Sequence, residues 1–208
     1  MKLFVMLDTI VIDNFFENPD KIRKIALSRS YRDGNENNGR GGWRGQRTLP
    51  IRAFEDDICP CCNTVLTSYS EEDQLIVNES KRILDTCIKH YNFEDPHNMA
   101  ITSYFHITTE ETRNSLPYFM QDKFHVDDQG PVAGVVYLHP NPPPNTGTSV
   151  LYAEQNQFIS LENKYNRLVA YESHRIHALS DVFGDSNETG RLTFTFFTHH
   201  KNRIKFFD

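Results

Sequence analysis

His125 and Asp127, in the run F-H-V-D-D at 124–128, stand two residues apart, so on an extended strand both side chains leave the same face. Two imidazoles and one carboxylate on one side of a metal leave coordination positions open, the ligand set of non-haem Fe(II) sites. The third ligand must come from a distant segment, and His177 lies fifty residues beyond Asp127. Arg191 follows His177 by fourteen residues and opens the run R-L-T-F-T-F-F. An arginine there offers a fixed cation to an acidic co-substrate, because its planar fork presents paired donors and stays charged. An isolated H-x-D is common by chance, and a strand histidine more often packs or faces water than binds metal. The joint order and spacing carry the signal. His90, His97, His106, His139, His199 and His200 have no such context and read as structural or exposed.

The elements that must position these residues read as mainly β, with helices near the N-terminus. Fifteen Phe and nine Tyr in 208 residues lean towards a β-rich core, and the length suits one domain. Residues 3–12 predict a strand; Asp8 interrupts this apolar start and no small-residue cleavage site follows, which argues against a signal peptide. Asn18 and Pro19 predict a helix start, with Ile22, Ile25 and Ala26 at helical spacing through about Ser30. Ser70, Glu71 and Glu72 predict a second helix to about Tyr91, its stripe made by Leu75, Ile76, Ile83, Leu84, Cys87 and Ile88. Strands are then expected over 99–109, 117–126, 131–139, 149–153, 166–172 and 191–198, parted by turn-rich pieces at 141–147 and 184–190. Regular spacing of this kind predicts a sandwich or barrel.

A net charge of −6 gives no general attraction to nucleic acid or anionic membranes, and no apolar run reaches the ~18 residues of a membrane span. The chain reads as soluble and cytoplasmic. Cys59, Cys61 and Cys62 form a C-P-C-C cluster, with Cys87 and His90 in the second helix. A zinc knot of Cys59, Cys62, Cys87 and His90 is conceivable, but no paired C-x-x-C spacing appears, and reduced thiols on a surface insertion are the simpler reading.

The runs F-H-V-D-D, V-A-G-V-V-Y-L, N-T-G-T-S-V-L-Y, N-R-L-V-A-Y-E-S-H-R-I-H-A and G-R-L-T-F-T-F-F resemble successive core strands of the Fe(II)/2-oxoglutarate-dependent dioxygenases. The resemblance is strongest to prolyl-hydroxylase-like members, including small oxygenases of bacteria and their phages. It covers about 99–198, with 1–98 as the supporting N-terminal part, and implies a double-stranded β-helix, a cupin-like jelly roll. It implies Fe(II), 2-oxoglutarate and O2 as the reacting set, and hydroxylation of an unactivated C–H. Carried over residue by residue, His125 and Asp127 match the H-x-D pair and Arg191 the arginine that grips the distal carboxylate of 2-oxoglutarate. The distal ligand falls in S-H-R-I-H-A, where His177 is favoured by its separation from Arg191 and His174 is left to the rim. Tyr137 aligns with a tyrosine that in some relatives bonds the same carboxylate. Thr193 faces the same way as Arg191. Both are candidate co-substrate contacts.

The substrate expected is a small molecule or a peptidyl residue, with a peptidyl or free amino acid such as proline favoured. Its grip would come from the Arg/Gly/Trp loop at 39–48, within the Gly/Asn/Arg-rich stretch 33–48 and carrying Arg40, Trp43, Arg44 and Arg47, and from the Pro-rich turn at 140–147. Tyr118 and Phe124 flank the H-x-D pair as pocket or core aromatics. Two other readings stand against this one: a non-catalytic β-helix binding module, and a cupin-type metal enzyme that does not use 2-oxoglutarate. The complete triad and Arg191 argue against the first; the second would more naturally show three or four histidine ligands and would not need Arg191.

Overall fold

The computed structural model describes residues 3–6, 8–33, 45–54, 70–114, 124–127, 130–152 and 156–201. Residues 3–12, expected as one strand, form a hairpin: β1 (Leu3–Met6) and β2 (Thr9–Ile12) pair antiparallel, with Leu3 opposite Ile12. Asp8 turns the chain with φ 61°, a left-handed backbone that a short polar side chain tolerates. Helix α1 (Pro19–Ser28) starts where Asn18 accepts a hydrogen bond from Lys21 N, and α2 (Glu71–His90) where Ser70 accepts one from Asp73 N. A short α3 (Glu110–Asn114) was not expected.

The longer strands follow the apolar and β-branched runs: β6 (Met99–Thr108), β7 (Val132–Tyr137), β8 (Thr148–Tyr152), β10 (Leu168–Glu172) and β12 (Arg191–His200). Short strands complete the sheets: β3 (Arg32–Asp33), β4 (Gln46–Arg47), β5 (Ile51–Phe54), β9 (Gln157–Leu161) and β11 (His177–Leu179). The major sheet runs β1-β2-β10-β7-β12-β6-β4-β3, with β5 also on β6; the minor sheet runs β11-β8-β9. All recorded pairings are antiparallel. The ends of the 33–48 loop are therefore strands, while Arg40, Trp43 and Arg44 lie outside the described residues, as do Tyr118 and Cys59, Cys61 and Cys62. Of the strand expected over 117–126, the described part makes a single bridge, His125 to His177.

Alternation on the central strands gives the major sheet two different faces. Ile101, Phe105 and Ile107 of β6 and Leu192, Phe194 and Phe196 of β12 join Ile22, Ile25, Ile76, Ile83 and Leu84 of the helices in one core cluster. Phe194 packs on Phe105 and Phe16, at ring-centroid distances of 5.1 and 5.9 Å. The opposite face carries Ala133, Val135, Tyr137, Val169, Tyr171 and Phe197, which meet Val150, Ile159 and Leu161 of the minor sheet in a second cluster. Cys87 belongs to the helix-side core, where burial pushes its thiol up to about 12, whereas His90 is exposed; this pair does not form half of a zinc knot. No helix is long and apolar enough to cross a membrane among the described residues.

Candidate metal centre

Backbone pairing brings the H-x-D segment to the minor sheet. His125 N donates to His177 O at 3.0 Å and His177 N to His125 O at 2.9 Å, while Asp127 N donates to Ser173 O at 2.9 Å. The donor atoms of His125, Asp127 and His177 then lie within 4.8 Å of one another. The Asp127 carboxylate faces both rings, with Oδ2 3.1 Å from His177 Nε2 and Oδ1 3.8 Å from His125 Nε2. His177 Nδ1 lies 2.8 Å from the carbonyl of Arg175, which can only accept, so Nδ1 carries the proton and Nε2 presents its lone pair to the centre. Access is graded: the His177 side chain is 6% exposed and that of His125 is 54%. The open flank is therefore on the His125 side. Two nitrogens and a carboxylate oxygen, converging from one side, are donors suited to Fe(II).

His174 stands apart from this group. Its side chain is 73% exposed at the tip of the turn between β10 and β11, with Nε2 3.7 Å from Glu172 Oε2.

Arg191 is the first residue of β12 and is 4% exposed. Its Nε donates to Thr146 O at 2.9 Å and its Nη2 to Gly147 O at 3.3 Å, with Thr148 Oγ1 at 3.5 Å. Its Cζ sits 5.4 Å from the centre of the Tyr137 ring. Among the described residues no carboxylate pairs with it, and burial lowers its pKa. Tyr137 is fully buried, its hydroxyl 2.8 Å from Thr148 Oγ1, and burial raises its pKa. Thr193 lies opposite Tyr137 in the sheet register; its hydroxyl donates to His106 O at 3.4 Å and meets Thr195 Oγ1 at 3.1 Å. Tyr137 thus shares a cluster with Arg191, whereas Thr193 lies on the same face with its hydroxyl engaged elsewhere.

The Pro-rich turn, expected to grip substrate, ends in the residues that cradle Arg191. Gly147 is required there, since a Cβ would come within 1.8 Å of the Leu161 carbonyl. Arg47 reaches the site from β4, its Cζ 5.4 Å over the Tyr104 ring and within electrostatic reach of Asp127; burial pulls its pKa down to about 10. Phe124 is 40% exposed and packs on Phe158 at 5.2 Å, so it belongs to the rim and not to the core. Sequence reasoning missed Thr148 and Tyr171, whose ring lies 4.7 Å from that of His177. Strand alternation with Val150 and Val169 was the available signal for both.

The metal group and the arginine are linked through β8. His177 is opposite Val150, and Arg191 touches Thr148, two residues along the same face. That is roughly 7 Å of strand.

Neither the scan against protein-family models nor the search of curated proteins found a match. Solved structures do match over most of the chain. A prolyl hydroxylase from Trichoplax adhaerens, in complex with a hypoxia inducible factor oxygen degradation domain peptide fragment, is 14% identical; the match covers 94% of this chain and 84% of that one, with a TM-score of 0.53. A full-length Neurospora crassa protein in complex with alpha-KG is 12% identical over 92% and 74%, at 0.56. The Arabidopsis thaliana dioxygenase for auxin oxidation 1, in a 2-oxoglutarate complex, is 11% identical over 91% and 82%, at 0.50. At such identities it is the fold that is shared: two facing antiparallel sheets with few helices, the jelly roll, or double-stranded β-helix, of 2-oxoglutarate oxygenases.

Proposed function

We propose that this chain is an Fe(II)- and 2-oxoglutarate-dependent oxygenase, residues 1–208 forming one oxygenase domain, that hydroxylates an unactivated C–H of a peptidyl or free amino acid such as proline. One juxtaposition carries the reading: a two-His, one-carboxylate group lies two strand residues from a buried arginine that no carboxylate pairs among the described residues. The offset of roughly 7 Å along β8 between the strand positions facing His177 and Arg191 is of the order of a five-carbon diacid, whose carbon chain is about 5 Å end to end from standard bond lengths.

His125, Asp127 and His177 hold the metal, and the Arg175 carbonyl keeps His177 in the ligating tautomer. Arg191 grips the distal carboxylate of 2-oxoglutarate, held in place by Thr146 O and Gly147 O, with the Tyr137 hydroxyl beside it and Thr193 on the same wall. When bound, iron and 2-oxoglutarate supply the oxidising chemistry: the co-substrate is decarboxylated to succinate, and one atom of O2 enters the substrate C–H bond. The protein positions these parts and excludes water from the inner side. Substrate approaches on the His125 flank, where Phe124, Val126, Phe158 and Ile176 expose apolar surface suited to a peptidyl ligand. The peptide held by the Trichoplax enzyme of the same fold is consistent with this choice. A reducing cytoplasm suits both Fe(II) and the free thiol of Cys87.

The test is anaerobic titration of the Fe(II)-loaded protein with 2-oxoglutarate, reading the weak visible charge-transfer band. The band is expected in wild type and His174→Ala and is lost in His177→Ala. Iron binding without a band would favour a cupin-type enzyme, and failure to bind either would favour a non-catalytic module.

A further inference from the structure

Tyr171 stands on the inner face of β10, two residues after Val169, and both belong to the layer between the sheets. It is 4% exposed, and its ring lies against the His177 imidazole. Among the described residues nothing hydrogen-bonds its hydroxyl. By contrast, the Tyr137 hydroxyl meets Thr148, that of Tyr91 the carbonyls of Asp8 and Ala170, and that of Tyr31 the carbonyl of Ala26. With no hydrogen bond to lose, the hydroxyl adds nothing to the packing that phenylalanine would not supply. The hydroxyl therefore has its use when something else is present.

Its surroundings say where that something lies. In the strand register Tyr171 is opposite Ala133 of β7, four residues along the same face from Tyr137, and its ring centroid lies 4.7 Å from that of His177. A phenol hydroxyl is a hydrogen-bond donor at neutral pH. Contact with His177 puts it nearer the metal end.

We propose that Tyr171 donates a hydrogen bond to the metal-side, keto-acid end of 2-oxoglutarate and fixes its orientation against His177. The inference rests on the oxygenase reading above and adds a co-substrate contact to it. Arg191 and Tyr137 hold one end of the diacid and Tyr171 the other, so the co-substrate is restrained against rotation about its long axis.

The test is Tyr171→Phe, compared with wild type by anaerobic charge-transfer titration of the Fe(II) protein with 2-oxoglutarate and, separately, with pyruvate. Pyruvate keeps the keto-acid end and lacks the distal carboxylate. The dissociation constants of both are expected to rise by a similar factor, about five- to tenfold for one hydrogen bond, and the band maximum to shift. The melting temperature of the metal-free variant should equal or exceed that of wild type. Unchanged affinity and band position, with the wild-type band present, would overturn the assignment. So would a loss confined to 2-oxoglutarate, which would move the contact to the distal end, or a lower melting temperature, which would make the hydroxyl structural. Absence of any band in wild type would remove the oxygenase reading itself, a result separable from all of these.

Discussion

Arg191 is a cation buried among neutral oxygens, and such a group is costly until an anion arrives. The carbonyls of Thr146 and Gly147 aim its fork without neutralising it. Lysine at this position would keep the charge but lose the paired donors. Arg191→Lys is therefore expected to raise the 2-oxoglutarate concentration needed for half-saturation by roughly tenfold or more, about 1.5–3 kcal/mol of charge-assisted hydrogen bonding, while pyruvate affinity changes little. Steady-state kinetics and the charge-transfer titration both read this, and unchanged 2-oxoglutarate binding would show that the distal carboxylate lies elsewhere. At this scale the sequence was most informative. His125, Asp127, His177 and Arg191 stand out because residues of unusual chemistry recur at a recognisable separation. Thr148 and Tyr171 are ordinary strand residues that come beside Arg191 and His177 only when two sheets face each other.

Helices and long strands were legible because their signals are local: a capping Asn18 or Ser70, a stripe of isoleucines, an alternating run of aromatics. The short strands were not. β11 has three residues and β9 alternates only around Ile159 and Leu161, and both exist because β8 offers them an edge. The break at Asp8 is likewise set by pairing, since β2 must turn back to reach β10. One residue shows how such non-local placement is secured. Asn166, at φ 59°, accepts from Phe16 N at 2.8 Å and donates to Phe16 O at 2.9 Å, tying the segment before α1 to the approach of β10. Asn166→Ala loses both buried bonds and puts a Cβ-only residue in a left-handed conformation. A loss of about 2–4 kcal/mol is expected, read as a lower urea midpoint with an unchanged slope. A loss below about 0.5 kcal/mol would mean that Phe16 is held by its ring contacts alone.

Across the whole molecule, the major sheet is a wall packed on one face by α1 and α2 and facing the metal group with the other, so stability and site geometry depend on the same strands. The N-terminal segment is fastened to that wall by an ionic contact as well as by Asn166. Arg167 Nε lies 2.6 Å from Asp13 Oδ1 and Lys164 Nζ 2.9 Å from Oδ2, and these cations hold the Asp13 carboxyl down to about 2. An unfolded aspartate titrates near 3.9. The folded value is the lower of the two, so the contribution is fully present above the unfolded value and is lost as pH falls towards and through 2. Lys164 is half exposed and adds little after screening by solvent, whereas Arg167 and Asp13 are each 15% exposed. The pair is thus expected to contribute about 1–2 kcal/mol at neutral pH. Asp13→Asn should lower stability at pH 7 by that amount. It should also unfold with a shallower pH dependence between about pH 4 and 2, so that the two proteins converge in stability at the acid end. Parallel curves over that range would show that the contact is as strong in the unfolded chain as in the folded one, and that it does not fasten the N-terminal segment to the sheet.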